Sequence, residues 1–356
     1  MDRRALRTVC SPQFWRMAVL WTLALLHSHL LALLPLRRGG PLRRRPCALL
    51  PGGRRPVCVV TGATSGLGRA AAAALAREGY HVVLVLDTIE EIHRQQPDSY
   101  LQAFQVNLAS YRSIKDFEIS LKRWIREMDP EPSIQLLINN AGILAKSHRR
   151  TEDGLDEVIQ TNYIGPFVLT SFLLPLLKNS PIPSRVVNLT SFTHRCVSGI
   201  DASEDVLRAM ECGQCSVGES YPFASNYEYT KFCLLLFSYE LHRQLHLSSV
   251  VSVMAADPGV VETNIMRELP LCLSWFAFFV LRFLNLLQQP DTGVGAVLDA
   301  ALAPPEASGK YFFGGKGRTI RSSQLSYDTE VAKKLWEESS TVFQELQLRK
   351  RDLRTN

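Results

Sequence analysis

Tyr227 and Lys231 stand four positions apart in "YEYTK", the spacing that puts two side chains on one face of a helix. A phenol with an ordinary pKa of ~10 exchanges protons poorly at neutral pH, and a neighbouring ammonium lowers that value by favouring the phenolate. Ser191 ends the apolar run "RVVNLTS", and its hydroxyl can hold a carbonyl or alkoxide oxygen beside the tyrosine. The three groups together make a proton relay. The pair alone is a weak signal, because this spacing is common and Tyr229 in the same stretch shows how cheaply a tyrosine arises.

Gly62, Gly66 and Gly68 lie in "TGATSGLG", directly after "PVCVV" and ahead of an alanine-rich helical pattern. A tight turn with close backbone approach would let the free N–H groups and positive dipole end of that helix hold a pyrophosphate. The same glycines are equally explained by a turn that packs a helix onto a strand.

Both groups of residues need elements to position them. From residue 56 onward, short β-branched runs ("VCVV", "YHVVLV", "IQLLINNAG", "SRVVNLTS", "VVSVMAADPG", "KYFFGG") alternate with helical patterns. That alternation predicts an α/β fold: one doubly wound parallel sheet covered by helices on both faces. Leu335, Trp336, Ser339, Val342, Phe343 and Leu346 form a helical stripe, so residues 330–356 are expected to close the chain with an amphipathic helix and tail.

The composition, 46% hydrophobic and 21% charged over 356 residues, is that of an ordered globular chain. The net charge of +6 is no nucleic-acid signal, since eleven arginines fall before Pro56 and Asp2 is the only acid before Glu78. Residues 17–36 hold fifteen apolar residues and no Asp, Glu, Lys or Arg, the length a bilayer core asks of a helix. We therefore expect residues 1–55 to be a basic segment carrying a membrane anchor, followed by a main domain over 56–329. Seven arginines between Arg37 and Arg55 outweigh Arg3, Arg4, Arg7 and Arg16, which directs that domain to the cytosol, on an endoplasmic-reticulum type of membrane. An Arg-rich plastid or mitochondrial transit segment is the competing reading. The eight cysteines form no paired framework, and Cys58, Cys233 and Cys272 lie within apolar runs, as in a reducing compartment. No metal site is expected.

Over residues 56 to about 323 the ordered motifs resemble the short-chain dehydrogenase/reductase family, its retinol-dehydrogenase-like branch, and most closely the plant relatives of the member named for chromosome X. "TGATSGLG" resembles the cofactor turn, "NNAG" at 139–142 the strand-stabilising motif, Asn162 in "QTNYIGPF" the helix asparagine, and "DPGVVET" the nicotinamide-side loop. The resemblance implies an NAD(P)-dependent oxidoreductase acting on a small lipophilic substrate of retinoid, sterol or isoprenoid type. It implies Tyr227 as the acid-base group, Lys231 on the nicotinamide ribose, Ser191 on the substrate oxygen and Asn162 holding a relay water. Thr61, Gly62, Ser65, Gly66, Leu67, Gly68, Asn140, Ala141, Gly142, Pro258, Gly259 and Val260 would contact the cofactor, with Thr263 at the carboxamide. The family often pairs its long helices, so a homodimer is implied as well.

Four departures stand out. After "YHVVLV" the family's Gly-Arg loop is missing, and Leu86 and Asp87 lead straight into a helical pattern whose Thr88 and Glu91 fit a capping box. Asp87, 19 positions after Gly68, stands where a carboxylate reads the adenosine ribose, or else it merely precedes the cap; NAD and NADP are both left open. Asn107 replaces the usual adenine-side aspartate. The shortened loop also admits two alternatives to an enzyme, a cofactor-binding scaffold without turnover and a splice form. Ser191 and Tyr227 are 36 positions apart, long enough for a flap, and Cys212 and Cys215 within it form half of a zinc or redox motif with no second half. Finally, residues 269–287 are apolar on nearly every side and are expected to form a buried or membrane-dipping lid rather than a second span.

Overall fold

The β-branched runs form the strands. In the computed structural model, which describes residues 11–34, 41–85, 100–199, 221–245, 250–266, 268 and 271–355, they are β1 (Val57–Thr61), β2 (His81–Val85), β3 (Leu101–Phe104), β4 (Leu136–Asn139), β5 (Ser184–Leu189) and β6 (Val251–Asp257). Two short strands, β7 (Val260–Val261) and β8 (Leu287–Gln288), pair with each other, and β9 (Tyr311–Phe313) closes the main sheet. That sheet is parallel throughout, in the order β3-β2-β1-β4-β5-β6-β9.

Alternate residues feed two cores. Val60, Leu84, Ile138, Val187 and Met254 pack under α2 (Gly66–Arg77) and α7 (Pro290–Ala301). Val59, Val83, Leu137, Val186 and Val253 pack under α3 (Tyr111–Met128), α4 (Gly165–Lys178), α5 (Phe223–Leu245) and α8 (Thr329–Thr355). Each such fully buried Val, Leu, Ile or Met contributes about 1.5–3 kcal/mol relative to exposure. The predicted C-terminal stripe docks as expected. Trp336 stacks on Phe237 at 5.8 Å, and the Ser339 hydroxyl bonds that of Tyr163 at 2.7 Å. α5 is consequently buried along most of its length, between sheet and α8.

The N-terminal segment is more integrated than its composition implies. Helix α1 (Pro12–Leu33) starts five residues before the apolar stretch, with Pro12 in its first turn. It is the one described helix long and apolar enough to cross a membrane. Its inner face buries Met17, Ala24, Leu25 and Ser28 against the domain, while Trp15, Val19, Leu23, Leu26, Leu30 and Leu33 are exposed. Residues 41–55 run along the domain rather than forming a separate flank. Arg44 pairs with Asp299 at 2.7 Å, Arg54 with Asp129, and Arg55 lies over the Tyr100 ring at 4.3 Å.

Within the apolar stretch at 269–287, α6 (Leu271–Phe283) has 13 residues, about 20 Å of helix, too short for a bilayer core of about 30 Å. Trp275, Phe279 and Phe283 point outward, Phe283 with 83% exposure, so the lid is a surface helix and not a buried one. Asp87, the Thr88/Glu91 capping box, Cys212, Cys215, Cys272's side chain and most of the expected flap lie outside the described residues.

Two glycines report on this packing in opposite ways. A Cβ on Gly68 would meet the Gly62 carbonyl oxygen at 2.2 Å and Asn140 Nδ2 at 2.4 Å, so Gly68→Ala should destabilise by about 1–3 kcal/mol through overpacking. At Gly295, inside α7, a Cβ meets ordinary contacts from 3.6 Å, and Gly295→Ala should stabilise by up to about 1 kcal/mol through helix propensity. Denaturant unfolding of the two variants checks both signs.

Candidate active site

The site is built on the seam between β1 and β4, where the strand order reverses. Crevices of this kind, at the carboxyl ends of the strands, are where open α/β sheets bind ligands. Thr61, the last residue of β1, receives the N–H groups of Asn140 and Ala141 on its hydroxyl at 3.0 and 3.1 Å. Asn140 Nδ2 donates back to the carbonyls of Thr61 and Gly62 at 2.8 and 3.1 Å. Beneath them Asn139 Nδ2 donates to Asn188 Oδ1 at 2.8 Å and to the Thr170 hydroxyl at 3.0 Å, tying β4 to β5 and α4.

These bonds hold the glycine turn in place. Gly62 and Gly66 adopt left-handed φ angles of 64° and 53°, conformations that side chains disfavour. Ser65 at the N-cap of α2 makes no side-chain cap bond, and the first turn carries no acid. The helix therefore presents backbone donors and its positive end to the crevice, which fits a pyrophosphate. Thr263 lies across this turn, its methyl 2.9 Å from where a Gly66 Cβ would stand. Next to it, Gly259 (φ 77°) turns the chain after Pro258. The Pro258 carbonyl is held by Gln288 Nε2 at 2.7 Å, and Val260 pairs with Leu287. Asn107 is exposed after β3, and its Oδ1 is engaged by the Ala109 N–H at 2.9 Å.

Ser191, Tyr227 and Lys231 come together as the spacing implies. Ser191 follows β5, and its hydroxyl stands close enough to the Tyr227 phenol to oppose the rise in its pKa. Lys231, one turn along α5, donates to the Leu189 carbonyl at 2.9 Å and stands 5.7 Å from the centre of the Tyr227 ring. Asn162 sits in a π-turn, Gln160–Ile164, at the start of α4. Its Oδ1 accepts the Ile143 N–H at 2.8 Å, and its Nδ2 donates to the Ile143 carbonyl at 2.9 Å. Gly142 brings the backbone close to both groups: a Cβ there would lie 3.2 Å from Lys231 Nζ and 3.5 Å from Asn162 Oδ1.

The electrostatics differ from the expectation that Lys231 lowers the tyrosine pKa. Burial, reinforced by the charge of Asp257, pushes the Tyr227 phenol up, and the Ser191 hydroxyl only partly opposes this. Burial brings Lys231 down to about 8, against the opposing pull of Asp257. Asp257, at the end of β6, was not among the residues singled out by sequence. Burial raises its carboxyl to about 6, although the Tyr311 hydroxyl and the Gly259 N–H donate to it at 2.5 and 2.8 Å.

His194 is a second residue that the motifs do not flag. Its Nε2 accepts the Ser323 N–H at 3.1 Å, so Nδ1 carries the proton and donates to the Ser191 carbonyl at 2.6 Å. Burial, with Arg195 nearby, brings it to about 3; a neutral imidazole thus fixes the backbone of Ser191.

The chain's relatives identify its family. A family profile for short chain dehydrogenases matches residues 56–198. The chain is 31% identical to human (Homo sapiens) retinol dehydrogenase 13, across 83% of this chain and 86% of the relative. It is 31% identical to human polyprenol dehydrogenase, across 80% and 83%. The chloroplastic short-chain dehydrogenase TIC 32 A of Brassica napus is 29% identical, across 81% and 88%. Among solved structures, an uncharacterized protein from Mycobacterium paratuberculosis superposes with a TM-score of 0.62 at 26% identity, over 85% of this chain and 98% of that one. An NADPH-bound carbonyl reductase from chicken fatty liver shares the fold, with a TM-score of 0.54 at 19% identity, over 77% and 100%. With its seam, glycine turn and Ser-Tyr-Lys cluster, the chain belongs to the short-chain dehydrogenase family and is an oxidoreductase built to use a nicotinamide cofactor.

Proposed function

We propose that the protein interconverts an alcohol and a carbonyl on a lipophilic substrate, with Tyr227 moving the proton. The observation that carries this reading is the setting of Tyr227. Its phenol lies beside Ser191, Lys231 lies one turn away, and the rest of the ring packs in an apolar cluster with Leu144, Phe223 and Ile265. An apolar wall beside a proton-handling group suits a hydrocarbon-rich alcohol. Relatives named for retinol and polyprenol support the same class.

The nicotinamide, when bound, supplies or accepts the hydride. The glycine turn from Thr61 through Ser65, Leu67 and Gly68 would hold its pyrophosphate, and residues 140–142 and 258–260 with Thr263 would enclose the remainder. Lys231 would hold the ribose, Ser191 would orient the substrate oxygen, and Asn162 would position a relay water. The intact Ser191, Tyr227 and Lys231 favour turnover over a silent scaffold. We further propose membrane association through the outer face of α1, with α6 alongside it, and a catalytic domain facing the cytosol at an endoplasmic-reticulum type of membrane; the chloroplastic relatives make a plastid the alternative.

Tyr227→Phe should lower kcat by at least ~100-fold while leaving the cofactor Kd within about twofold, because only the proton donor is lost. Single-turnover rates and a fluorescence titration with NADH and NADPH separate the two effects. Retention of more than a few per cent of activity would remove Tyr227 from this role.

The pH dependence of stability carries a signature of Lys231. Unfolded, the amine holds its proton up to ~10.4; folded, it releases it at about 8. Between those values the unfolded state binds more protons, so this group's contribution to stability rises with pH and is lost as pH falls through 8. The thiols of Cys47, Cys58 and Cys196, all raised by burial, act in the opposite sense but identically in a variant. The stability of wild type relative to Lys231→Met should thus increase from pH 8 to 10, and a flat difference would refute the perturbed amine.

For cofactor choice, the missing Gly-Arg loop removes the cation that would pair a 2'-phosphate, a contact of about 1.5–3 kcal/mol. NADPH preference should be weak. If Asp87 accepts the ribose hydroxyls, Asp87→Ala lowers the NADH:NADPH affinity ratio; an unchanged ratio reduces Asp87 to a helix-start residue.

A further inference from the structure

We propose that α1 is a fixed wall of the substrate site as well as a membrane element, with Trp21 as a specificity-determining residue held there by Glu228. The inference rests on the lipophilic-substrate reading above and extends it to residues more than 200 positions from Tyr227.

Glu228 follows Tyr227 on α5, and its side chain is only 2% exposed. Its carboxylate receives both terminal nitrogens of Arg16, at 3.1 and 2.9 Å, and the indole N–H of Trp21 at 2.7 Å. All three donors belong to α1. A third polar tie lies two turns further along, where Arg195 Nε donates to the Ser28 hydroxyl at 2.9 Å. A helix that acted only as a tether would need no buried acid on the catalytic helix to receive it. Withdrawing α1 would break all three of these bonds to the Glu228 carboxylate at once.

The same docking brings α1 onto the reacting group. The Trp21 ring lies 5.7 Å from that of Tyr227, tilted by 43°. Met17 and Trp21 join Leu144, Phe223, Tyr227 and Ile265 in one apolar cluster. The glycine turn and residues 140–142 lie on the cofactor side of Tyr227, so this cluster is what a substrate's hydrocarbon would meet. Trp21 also packs, with Leu31 and Ala32 of α1 and Leu281 of α6, on a neighbouring core cluster around Leu25, Phe192 and Tyr239. The two helices with outward apolar residues are thus braced on a common core beside the site.

The test uses the full chain in detergent micelles, with retinaldehyde as a long apolar carbonyl, benzaldehyde as a small one, and whichever of NADH and NADPH binds. Trp21→Ala should lower the retinaldehyde:benzaldehyde ratio of kcat/KM by ~10-fold or more, mainly through KM for retinaldehyde. Its cofactor Kd and its partition into liposomes should not change. Trp21→Phe, which keeps a ring, should retain the ratio within about threefold. An unchanged ratio in Trp21→Ala overturns the proposal. A wild type that turns over neither carbonyl defeats the proposed lipophilic-substrate reading instead. In that case the wall is read from a cycle of Arg16→Gln, Glu228→Gln and the double variant. Thermal midpoints should be non-additive by roughly 3–6 °C if the latch holds, and additive effects overturn the proposal.

Discussion

The hydroxyl of Thr61 governs the site. It lies where β4 settles beside β1, and by accepting the N–H groups of two residues just past β4 it sets how far the strands part. The glycine turn, the Asn140 amide and the start of α2 are all placed from that one group. Few alternatives would serve, because a Cβ at Gly68 collides with backbone and a Cβ at Gly62 meets the Ala141 Cα at 2.8 Å. Close backbone approach and an open helix end are therefore two results of one packing arrangement.

Beyond the seam, the candidate catalytic groups are buried together, and their charges act on one another. Tyr227, Lys231 and Asp257 are all buried, and burial is the leading influence on each. Asp257 works against Tyr227 ionisation and in favour of Lys231 protonation, so the aspartate at the end of β6 conditions both groups of the proposed relay. His194 has a different function: its neutral imidazole adds no charge and fixes the Ser191 backbone to the segment around Ser323.

Much of this was legible because the signals were local. Strand runs, the glycine turn, the one-turn Tyr227/Lys231 spacing and the C-terminal stripe are each encoded within a few residues, and each formed where the pattern placed it. What escaped depends on distant partners. The apolar stretch was bounded at residue 17 because Arg16 reads as a charge ending a hydrophobic run, yet Arg16 lies inside α1, paired with Glu228. The arginines of residues 41–55 read as a flank by composition, whereas Arg44 and Arg54 reach Asp299 and Asp129 across the fold. Asp257 was visible within its motif, but its influence comes from burial, which no spacing reveals.

The link between Arg16 and Glu228 spans 212 positions, and that distance has a meaning in time. At about 5–20 residues per second of synthesis, α1 leaves the ribosome roughly 10–40 s before the acid that will hold it exists. Throughout that interval both its faces lack protein cover, and a lipid surface is the natural shelter for them. On the membrane association proposed above, the helix would meet lipid first and its own domain second. Docking of α5 then claims the inner face and leaves Leu23, Leu26, Leu30 and Leu33 outward. The order of translation thus leaves the inner face of α1 waiting for Glu228, and the outer face open to the membrane association proposed above.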